Sequence, residues 1–456
     1  MKTPALPFAA KVKKTNITVT LVREKDFEKW ETSVSDDTQA LVKQTGFGTN
    51  GVKTLITPDH QVFASVGDKP KLYDIAPSVE AVRKYFSSDF LKSATFSLEG
   101  KGDLTAACSG WGIACYQFDR YKKSVQQPQL VLPEGVDTVR VRSVTESIYL
   151  LKHMVNTPAN DMSPDDIEKV AVALKDGEVG VTSGKVLEKE FPLIHMVGKA
   201  SDKKPRLIDL QWGKKSHPKV TIVGKGVSFD TGGLNIKPTQ YMALMRKDMG
   251  GAAHALALGK LVMDLNLPVR LRVLVPAVEN AISSNAFRPG DIVKSRSGLT
   301  VENTNTDAEG RLILADTLTY ACEEKPDLLI DFATLTGSAR AALGPDIPAA
   351  FATRDKTGAR IQKLAMASED PIWLMPLYSA YEKHIKSASA DLHNSAGLPG
   401  DLIYSALFLK QFLKNDPDWV HLDCHAWELS SKPGRPRGAA DTGLLSMLAY
   451  IEDRYA

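Results

Sequence analysis

Hydrophobic and polar residues change their spacing several times along the chain, and each change predicts a different element. Near the N-terminus, the β-branched runs 16–22 and 60–67 predict strands, whereas the helical spacing of 78–88 predicts a helix. The amphipathic segment 108–123 predicts a further helix that ends in basic residues. Together these elements indicate a small α/β unit at the start of the chain.

The pattern is interrupted by Pro, Gln and Gly residues in 124–138, which predict a domain boundary with a strand inside it. The following segment, 143–161, predicts a helix closed by Pro158, which would connect two domains. The length of 456 residues also favours more than one domain. We therefore expect an N-terminal α/β domain (1–135), a linker with a connecting helix (136–162) and a larger C-terminal domain (163–456).

Strands and helices alternate in the C-terminal part of the chain. Their predicted order is 219–226 (strand), 250–265 (helix), 269–281 (strand), 312–324 (helix), 327–337 (strand) and 419–427 (strand). This alternation predicts a mostly parallel central sheet flanked by helices, so that the fold class of both domains is α/β. In such sheets, ligands bind beyond the carboxyl ends of the strands.

Composition and charge narrow the choice of partners. The chain is 43% hydrophobic and 24% charged, and its net charge of +3 gives no reason to expect nucleic acid as the main partner. The cysteines show no CxxC pairing, which indicates buried thiols in a reducing compartment. The sequence shows neither a secretory apolar region nor a run long enough to span a membrane. We expect a cytoplasmic protein without a membrane partner.

Acidic residues cluster where the predicted strands end. Strand 219–224 leads into a loop with Asp230, and Asp248 precedes the Gly-rich start of a helix. In "VENTNTDAEGRL" (301–312), Asp307 and Glu309 occupy alternate positions with Arg311, and such positions share one face if the segment is extended. Carboxylates this close repel each other unless cations lie between them. Oxygen-rich sites suit Mg²⁺, Mn²⁺ or Zn²⁺, so we expect a metal site, and a pair of ions bridged by shared carboxylates would fit it.

Each of these residues also has an ordinary structural interpretation. An Asp before a helix is usually an N-cap, a single Lys in a loop is usually solvated, and "FDTGG" can be a tight turn. The signatures HExxH, GxSxG and GxxxxGK[ST] do not occur, and "GKGVSFDTGG" does not match GxGxxG. The His, Asp and Glu residues of "HLDCHAWE" (421–428) also have a spacing that suits a second metal site, although a structural or pocket-lining role is favoured for them.

Three blocks of the sequence resemble the signature blocks of the leucine (cytosol) aminopeptidase family, which includes bacterial aminopeptidase A. They are "VGKGVSFDTGGLNIKP", "MRKDMGGAAHAL" and "NTDAEGRLILADTLTYA". The resemblance covers roughly 145–456, and "NTPAND", "DFATLTGSARAALG", "WLMPL" and "WVHLD" are similar too. It implies a leucyl aminopeptidase-type metalloexopeptidase, a hydrolase that removes N-terminal residues from peptides, with 163–456 as its catalytic metallopeptidase domain.

The same resemblance implies cofactors and an assembly. Two divalent metal ions per subunit are expected, Mn²⁺ or Zn²⁺ first and Mg²⁺ or Co²⁺ as alternatives, together with bicarbonate. Family members are typically hexamers of two stacked trimers, so a homohexamer is expected. By position, the metal ligands would be Lys225, Asp230, Asp248, Asp307 and Glu309. Asp230, Asp307 and Glu309 would be shared by or bridge the two ions. Lys225, as a neutral amine, and Asp248 would bind the ion that exchanges more readily.

The resemblance also assigns roles outside the ligand set. A metal-bridged water would be the nucleophile, Lys237 the electrophile that polarises the scissile carbonyl, and a bicarbonate held by Arg311 the general base. The pocket for the first side chain would contain Met245, Thr334 and Gly337. In the same pocket, His425 and Glu428 stand where the family usually has small and apolar residues, which favours polar or basic N-termini over leucine.

Three other functions remain open on the sequence alone. A DNA-binding accessory protein is disfavoured by the balanced charge. A scaffold without activity is disfavoured by the presence of all seven matched positions, and a two-metal phosphoesterase is disfavoured by the lysine ligand.

Overall fold

The computed structural model describes residues 3–49, 51–174 and 177–456. These residues form two compact units. One contains the described residues up to Tyr149 together with Ser430–Arg437, and the other contains Leu150–Leu429 and Gly438–Ala456. Each unit has its own sheet and its own apolar core.

The smaller unit is an α/β structure around a mainly parallel sheet. Its strands are β1 (Thr15–Arg23), β2 (Thr54–Ile56), β3 (Val62–Val66), β4 (Ala94–Glu99) and β5 (Leu130–Val131). Its helices are α1 (Phe27–Glu31), α2 (Asp36–Thr45), α3 (Ala76–Tyr85), α4 (Ser88–Ser93) and α5 (Leu104–Ala114). The strand order is β2-β3-β1-β4-β5, with an antiparallel contact between β2 and β3 and parallel contacts elsewhere along this order. The strands and the helix predicted between 16 and 88 are confirmed.

The helix predicted over 108–123 is wrong in its second half. Helix α5 begins at Leu104, after Asp103 has accepted a hydrogen bond from Thr105 N at 2.8 Å, and ends at Ala114. Beyond it, the Gln117 side chain exchanges two hydrogen bonds with the backbone of Val125, at 2.8 and 2.9 Å. These bonds hold the segment as a loop, although its amphipathic spacing also fits a helix.

Helix α6 (Thr138–Asn156) ends before Pro158, as predicted, and the larger unit begins inside this helix, at Leu150. Its strands are β6 (Glu178–Ser183), β7 (Arg206–Trp212), β8 (Lys219–Gly224), β9 (Gly226–Asp230), β10 (Arg270–Asn280), β11 (Ile292–Lys294), β12 (Thr300–Glu302), β13 (Leu328–Ala333), β14 (Ala349–Ala352), β15 (Trp373–Leu374), β16 (Leu392–His393), β17 (Trp419–Asp423), β18 (Trp427–Glu428) and β19 (Gly438–Ala439). Its helices are α7 (Pro164–Val172), α8 (Gly184–Glu190), α9 (Pro192–Gly198), α10 (Thr239–Met242), α11 (Gly250–Asp264), α12 (Glu309–Glu323), α13 (Gly337–Leu343), α14 (Asp355–Ala367), α15 (Asp401–Lys410) and α16 (Leu444–Tyr455).

The central sheet of the larger unit is mostly parallel, which confirms the predicted fold class. Its order is β15-β14-β17-β13-β8-β10-β7-β6, and β9 continues the pairing along β10. The inner strands β17, β13, β8 and β10 run parallel to one another. The pairs β14–β17, β10–β7 and β7–β6 are antiparallel, and β15 runs parallel to β14. Helices α11 and α12 pack against β8 and β10. The inner strands are almost wholly buried and apolar, as parallel strands covered by helices require.

Two local expectations are corrected in this unit. Helix α12 begins at Glu309, not at Leu312, so Glu309 and Arg311 do not lie in one extended segment. Residues two apart in a helix differ by about 200° around its axis, so these two side chains leave α12 on different sides. The late strand ends at Asp423 rather than at 427, and Trp427 belongs to a separate small sheet with β19.

Candidate metal centre and active site

The predicted metal ligands come together at the carboxyl ends of the central strands. Lys225 lies between β8 and β9, and Asp230 is the last residue of β9. Asp248 lies in a 3-10 turn directly before α11. Asp307 precedes α12, and Glu309 is its first residue. Chain segments far apart in sequence therefore meet at one edge of the sheet, where ligands bind in this class of fold.

Three carboxylates form the centre of this group. Asp230, Asp307 and Glu309 each offer an oxygen within 4.8 Å of the others. Asp230 and Glu309 are only 2% and 1% exposed. Gly232 N and Asn280 Nδ2 both donate to Asp230 Oδ1 at 2.8 Å, which holds that carboxylate in place. Buried carboxylates at this spacing require positive charge among them.

Lys225 brings one such charge to the group. Its Nζ lies 2.8 Å from Asp248 Oδ2 and 3.0 Å from Glu309 Oε1, and it donates to Thr334 O at 2.8 Å. Burial lowers the pKa of the Lys225 amine, but Asp248 and Glu309 outweigh burial, and the net pKa lies above its ordinary value. Lys225 can therefore become a neutral amine ligand only if other cations take over the neutralisation of these carboxylates.

Lys237 neutralises the other side of the group. Its Nζ lies 2.8 Å from Asp230 Oδ2 and 2.6 Å from Asp307 Oδ1. Burial again lowers the pKa, and the carboxylates, Asp230 first, raise it above its ordinary value. The Lys237 side chain is thus an ammonium ion that points at the carboxylate cluster.

The donor atoms fit divalent cations. Burial, and next the charge of Asp230, raises the pKa of Asp307 to about 6 and that of Glu309 well above its usual range. For Asp248, burial raises the pKa, but Lys225 and other lysines lower it below the ordinary value. Asp307 Oδ1 and Glu309 Oε1 are buried, and the ammonium groups of Lys237 and Lys225 lie against them. Buried carboxylate oxygens that repel one another are suitable ligands for hard or borderline metal ions.

Gly310 leaves the space in which Lys225 sits. A Cβ atom at position 310 would lie 2.5 Å from Lys225 Cε and 2.7 Å from Lys225 Nζ. Gly310 lies inside α12, so it does not serve to turn the backbone into the helix. The glycine permits the close approach of the lysine to the first turn of α12.

Arg311 is held by residues away from the carboxylates, and it is not among the described residues that line the cavity beside them. Its Nη1 donates to Asn394 O at 2.8 Å and its Nη2 to Asp401 Oδ1 at 3.1 Å. Arg311 is 4% exposed, and its Nε makes no hydrogen bond with a described residue. One buried donor of the guanidinium is therefore left for another ligand.

A cavity of about 430 Å³ opens beside the carboxylates. The residues predicted for the pocket of the first side chain that line it are Met245, Thr334, Gly337 and His425. Thr334 Oγ1 donates to Asp248 Oδ1 at 2.7 Å, which connects the pocket to the ligand group. Glu428 lies in β18, is 2% exposed and is not among the described residues that line this cavity.

The sequence analysis missed two basic residues of the same cavity, Lys247 and Arg340. Lys247 is only 6% exposed, and Arg340 is half-buried in α13. Burial, together with the charges of Lys247 and Arg340, lowers the pKa of His425 to about 3, so this imidazole is neutral. The sequence signal for Lys247 was a basic residue directly before Asp248 in "MRKDM".

The side chains at the start of the "HLDCHAWE" segment form hydrogen bonds with other protein groups. His421 Nδ1 lies 2.6 Å from Asp331 Oδ1, and Trp419 Nε1 donates to Asp331 Oδ2 at 2.6 Å. Asp423 accepts hydrogen bonds from the backbone of Leu335 and from the Thr336 side chain. These side chains have protein partners, and the metal-ligating group found among the described residues lies elsewhere.

Comparison with known proteins gives consistent matches over both parts of the chain. The description "cytosol aminopeptidase family, catalytic domain" matches residues 149–447, and "M17 aminopeptidase, N-terminal domain" matches residues 17–133. A probable cytosol aminopeptidase of Syntrophotalea carbinolica is 38% identical, over 75% of this chain and 73% of that protein. A probable cytosol aminopeptidase of Cenarchaeum symbiosum is 36% identical, over 82% of this chain and 80% of that protein.

Solved structures agree in fold along nearly the whole length. The crystal structure of a cytosol aminopeptidase from Coxiella burnetii has a TM-score of 0.91 and 39% identity, and the match covers 99% of this chain and 100% of that one. The bottromycin maturation enzyme BotP in complex with Mn has a TM-score of 0.83 and 26% identity, over 96% and 99% of the two chains. No helix in the described part of the chain combines the length and the apolar character that crossing a membrane demands. The chain belongs to the cytosol aminopeptidase family, M17.

Proposed function

We propose that this chain releases the N-terminal residue of peptides at a dinuclear centre built from Lys225, Asp230, Asp248, Asp307 and Glu309. As a member of the cytosol aminopeptidase family, the chain is a metal-dependent aminopeptidase, a hydrolase that acts on peptides. The observation that supports the dinuclear centre is the buried group of three carboxylates within 4.8 Å, next to a cavity of suitable size.

The positions of the side chains support the proposed ligand roles. Asp230, Asp307 and Glu309 are close enough to share two ions, and Lys225 and Asp248 lie together on one side of this group. Two divalent ions held there would supply Lewis acidity and a nucleophilic water at neutral pH. The pairing of Asp230 Oδ1 with two nitrogen donors keeps one ligand oriented before any ion binds.

Lys237 would act as the electrophile. Its raised pKa keeps it an ammonium ion, and its position beside Asp230 and Asp307 places it next to the metal ligands without making it one. A fixed ammonium at this point would donate a hydrogen bond to the scissile carbonyl oxygen as negative charge develops on it. Such stabilisation in a water-poor cleft is worth about 3 kcal/mol for a single donor.

Arg311 would hold a bicarbonate ion that serves as the general base. The Arg311 Nε is the buried donor without a partner among the described residues, while Asn394 and Asp401 occupy two other nitrogens of the guanidinium. This assignment rests on the family resemblance and on that free donor. Mn²⁺ or Zn²⁺ are the proposed ions, with Mg²⁺ or Co²⁺ as alternatives, and the assembly is proposed to be a homohexamer in the cytoplasm.

Chelation followed by addition of single metals tests the proposed function. We expect hydrolysis of aminoacyl anilides to stop after chelation and to return with Mn²⁺ or Zn²⁺. Inactivity with each of Mn²⁺, Zn²⁺, Co²⁺ and Mg²⁺ would contradict the proposal. Sedimentation of the loaded protein tests the hexamer separately.

Two substitutions separate the ligand role from the electrophile role. Glu309→Gln should lower both metal content and turnover, because it replaces a charged ligand shared by the ions. Lys237→Met should lower turnover about 100-fold or more while metal content stays near two ions per chain. Glu188→Gln changes an exposed glutamate that is not among the residues lining the cavity, and it is the control for Glu309. Equal loss of metal in the Lys237 and Glu309 variants would refute the division of roles.

A further inference from the structure

The cavity contains a second group of polar side chains that the catalytic roles leave unused. Lys247 is 6% exposed and lines the cavity, and no ion pair joins it to a described residue, although the charges of Asp248 and Asp423 act on it. The Arg340 guanidinium also lines the cavity and likewise has no such partner in the described part of the chain. The buried His425 Nε2 completes the group, since it too makes no hydrogen bond there. These three residues are called the basic wall below.

The basic wall differs from the other cationic residues of the site. Lys225 and Lys237 each contact two carboxylates within 3.0 Å, so their charges are balanced by the protein. Lys247 and Arg340 have no carboxylate of the described chain within ion-pair distance. An ammonium buried without an anion costs free energy, and a ligand that brings an anion recovers it. A carboxylate is the ligand chemistry that fits two cationic donors and a neutral imidazole.

The position of the basic wall indicates which part of a substrate reaches it. Lys247 directly precedes Asp248 in the 3-10 turn before α11, and Asp248 is held by Thr334 of the cavity lining. The α-amine of a bound peptide would lie at the metal ligands. The first side chain leaves the same Cα atom as that amine, so it would lie in the cavity that the ligand group borders and that Lys247, Arg340 and His425 also line.

We propose that Lys247, Arg340 and His425 bind a carboxylate on the first side chain of the substrate, so that peptides beginning with Glu or Asp are preferred. This inference rests on the proposed aminopeptidase function. It differs from the expectation of basic N-termini, because a Lys or Arg side chain would meet like charges in this pocket. Leucine would leave the buried basic groups without an anion.

Anilides of single amino acids test the charge of the pocket. Glu and Gln have nearly the same size and differ in charge, so the ratio of their kcat/KM values isolates the carboxylate. We expect a Glu-to-Gln ratio of about ten or more in the unmodified protein, as one charge-assisted contact provides. Lys247→Met should bring the ratio close to one, and Arg340→Gln should lower it. Lys356→Met, an exposed lysine of α14, is the matched control and should leave the ratio unchanged.

A ratio at or below one in the unmodified protein, or a ratio insensitive to both substitutions, would overturn the proposal. Anilides have no C-terminal carboxylate, so a preference seen with them belongs to the side chain. Tighter binding of dipeptide acids than of their amides, without a Glu preference in anilides, would assign the basic wall to the peptide C-terminus and also overturn it.

Binding of free amino acids separates this inference from the catalytic proposal. Calorimetry with the metal-loaded protein should show tighter binding of L-glutamate than of L-glutamine, and Lys247→Met should abolish the difference. If that pattern appears without hydrolysis of any anilide, the carboxylate pocket stands and the catalytic proposal falls. Hydrolysis of leucyl anilide with equal binding of glutamate and glutamine refutes the pocket alone.

Discussion

The space that Gly310 leaves for Lys225 makes a specific prediction about metal binding. In the variant Gly310→Ala, the new Cβ would lie 2.5 Å from Lys225 Cε and 2.7 Å from Nζ. Carbon atoms in contact are normally about 3.5 Å or more apart, so the end of the Lys225 side chain must move by roughly 1 Å. A metal–ligand bond does not survive such a shift, and Lys225 would be lost as a ligand.

The expected loss of affinity is about 10- to 100-fold for the ion that Lys225 is proposed to bind, the range seen when the surroundings of a metal ligand are changed. This corresponds to about 1.4 to 2.7 kcal/mol of binding free energy. Alanine is favoured over glycine inside a helix by about 1 kcal/mol, which offsets part of the cost of moving Lys225 away from Asp248 and Glu309. Weaker metal binding in a protein that still folds is the expected combination.

Competition between the protein and a fluorescent chelator measures this affinity. In a double-mutant cycle, Gly310→Ala should cost nothing further in a Lys225→Met background, because its effect passes through the lysine. Gly180→Ala is the control, since a Cβ there would have its nearest neighbour at 3.9 Å. Wild-type affinity in the Gly310 variant, or an equal loss in the Lys225→Met background, would refute the reasoning.

Two further predictions concern stability. Burial lowers the pKa of His421, but Asp331 raises it above the ordinary value, so the stability from this pair is complete below about pH 6.5 and is lost as pH rises through the raised pKa. Urea unfolding across pH should show this decline, and His421→Gln should remove it; an unchanged slope in the variant would contradict the assignment. Asp370→Ala should destabilise by about 3 kcal/mol, because Asp370 accepts three backbone amides at the start of α16 that would lose their acceptor. The exposed Asp355→Ala in the first turn of α14 is the control, and equal denaturation midpoints in both variants would show that the amides find other partners.

The sequence predicted the elements whose periodicity agrees with their packing. The apolar runs of β8, β10 and β13 and the small-residue helix α11 lie within two residues of the predicted starts, and β13 ends earlier than predicted. Their burial on the central sheet is the same constraint that produced the pattern. The proposed metal ligands are predictable at strand ends for a related reason, because topology sets the carboxyl edge of a parallel sheet.

The remaining features depend on tertiary contacts that leave no periodic signal. The loop after α5 is fixed by hydrogen bonds of Gln117 to Val125, and spacing alone favoured a longer helix. The start of α12 depends on the preceding loop, which Asn394 holds by accepting from Thr304 N and Asn305 N. A lysine in a turn is usually solvated, and only the packing of the turn before α11 buries Lys247.

The helical start of α12 has a consequence for how the site can vary. Glu309 and Arg311 leave the helix in different directions, one toward the carboxylates and the other toward Asn394 and Asp401. The surroundings of the arginine can therefore change at Asp401 while the carboxylate geometry stays the same, whereas Asn394 also holds the loop before α12 and is not free to vary. The proposed metal site and the proposed anion site at Arg311 are in this sense separately adjustable, although a single rigid turn of helix joins them.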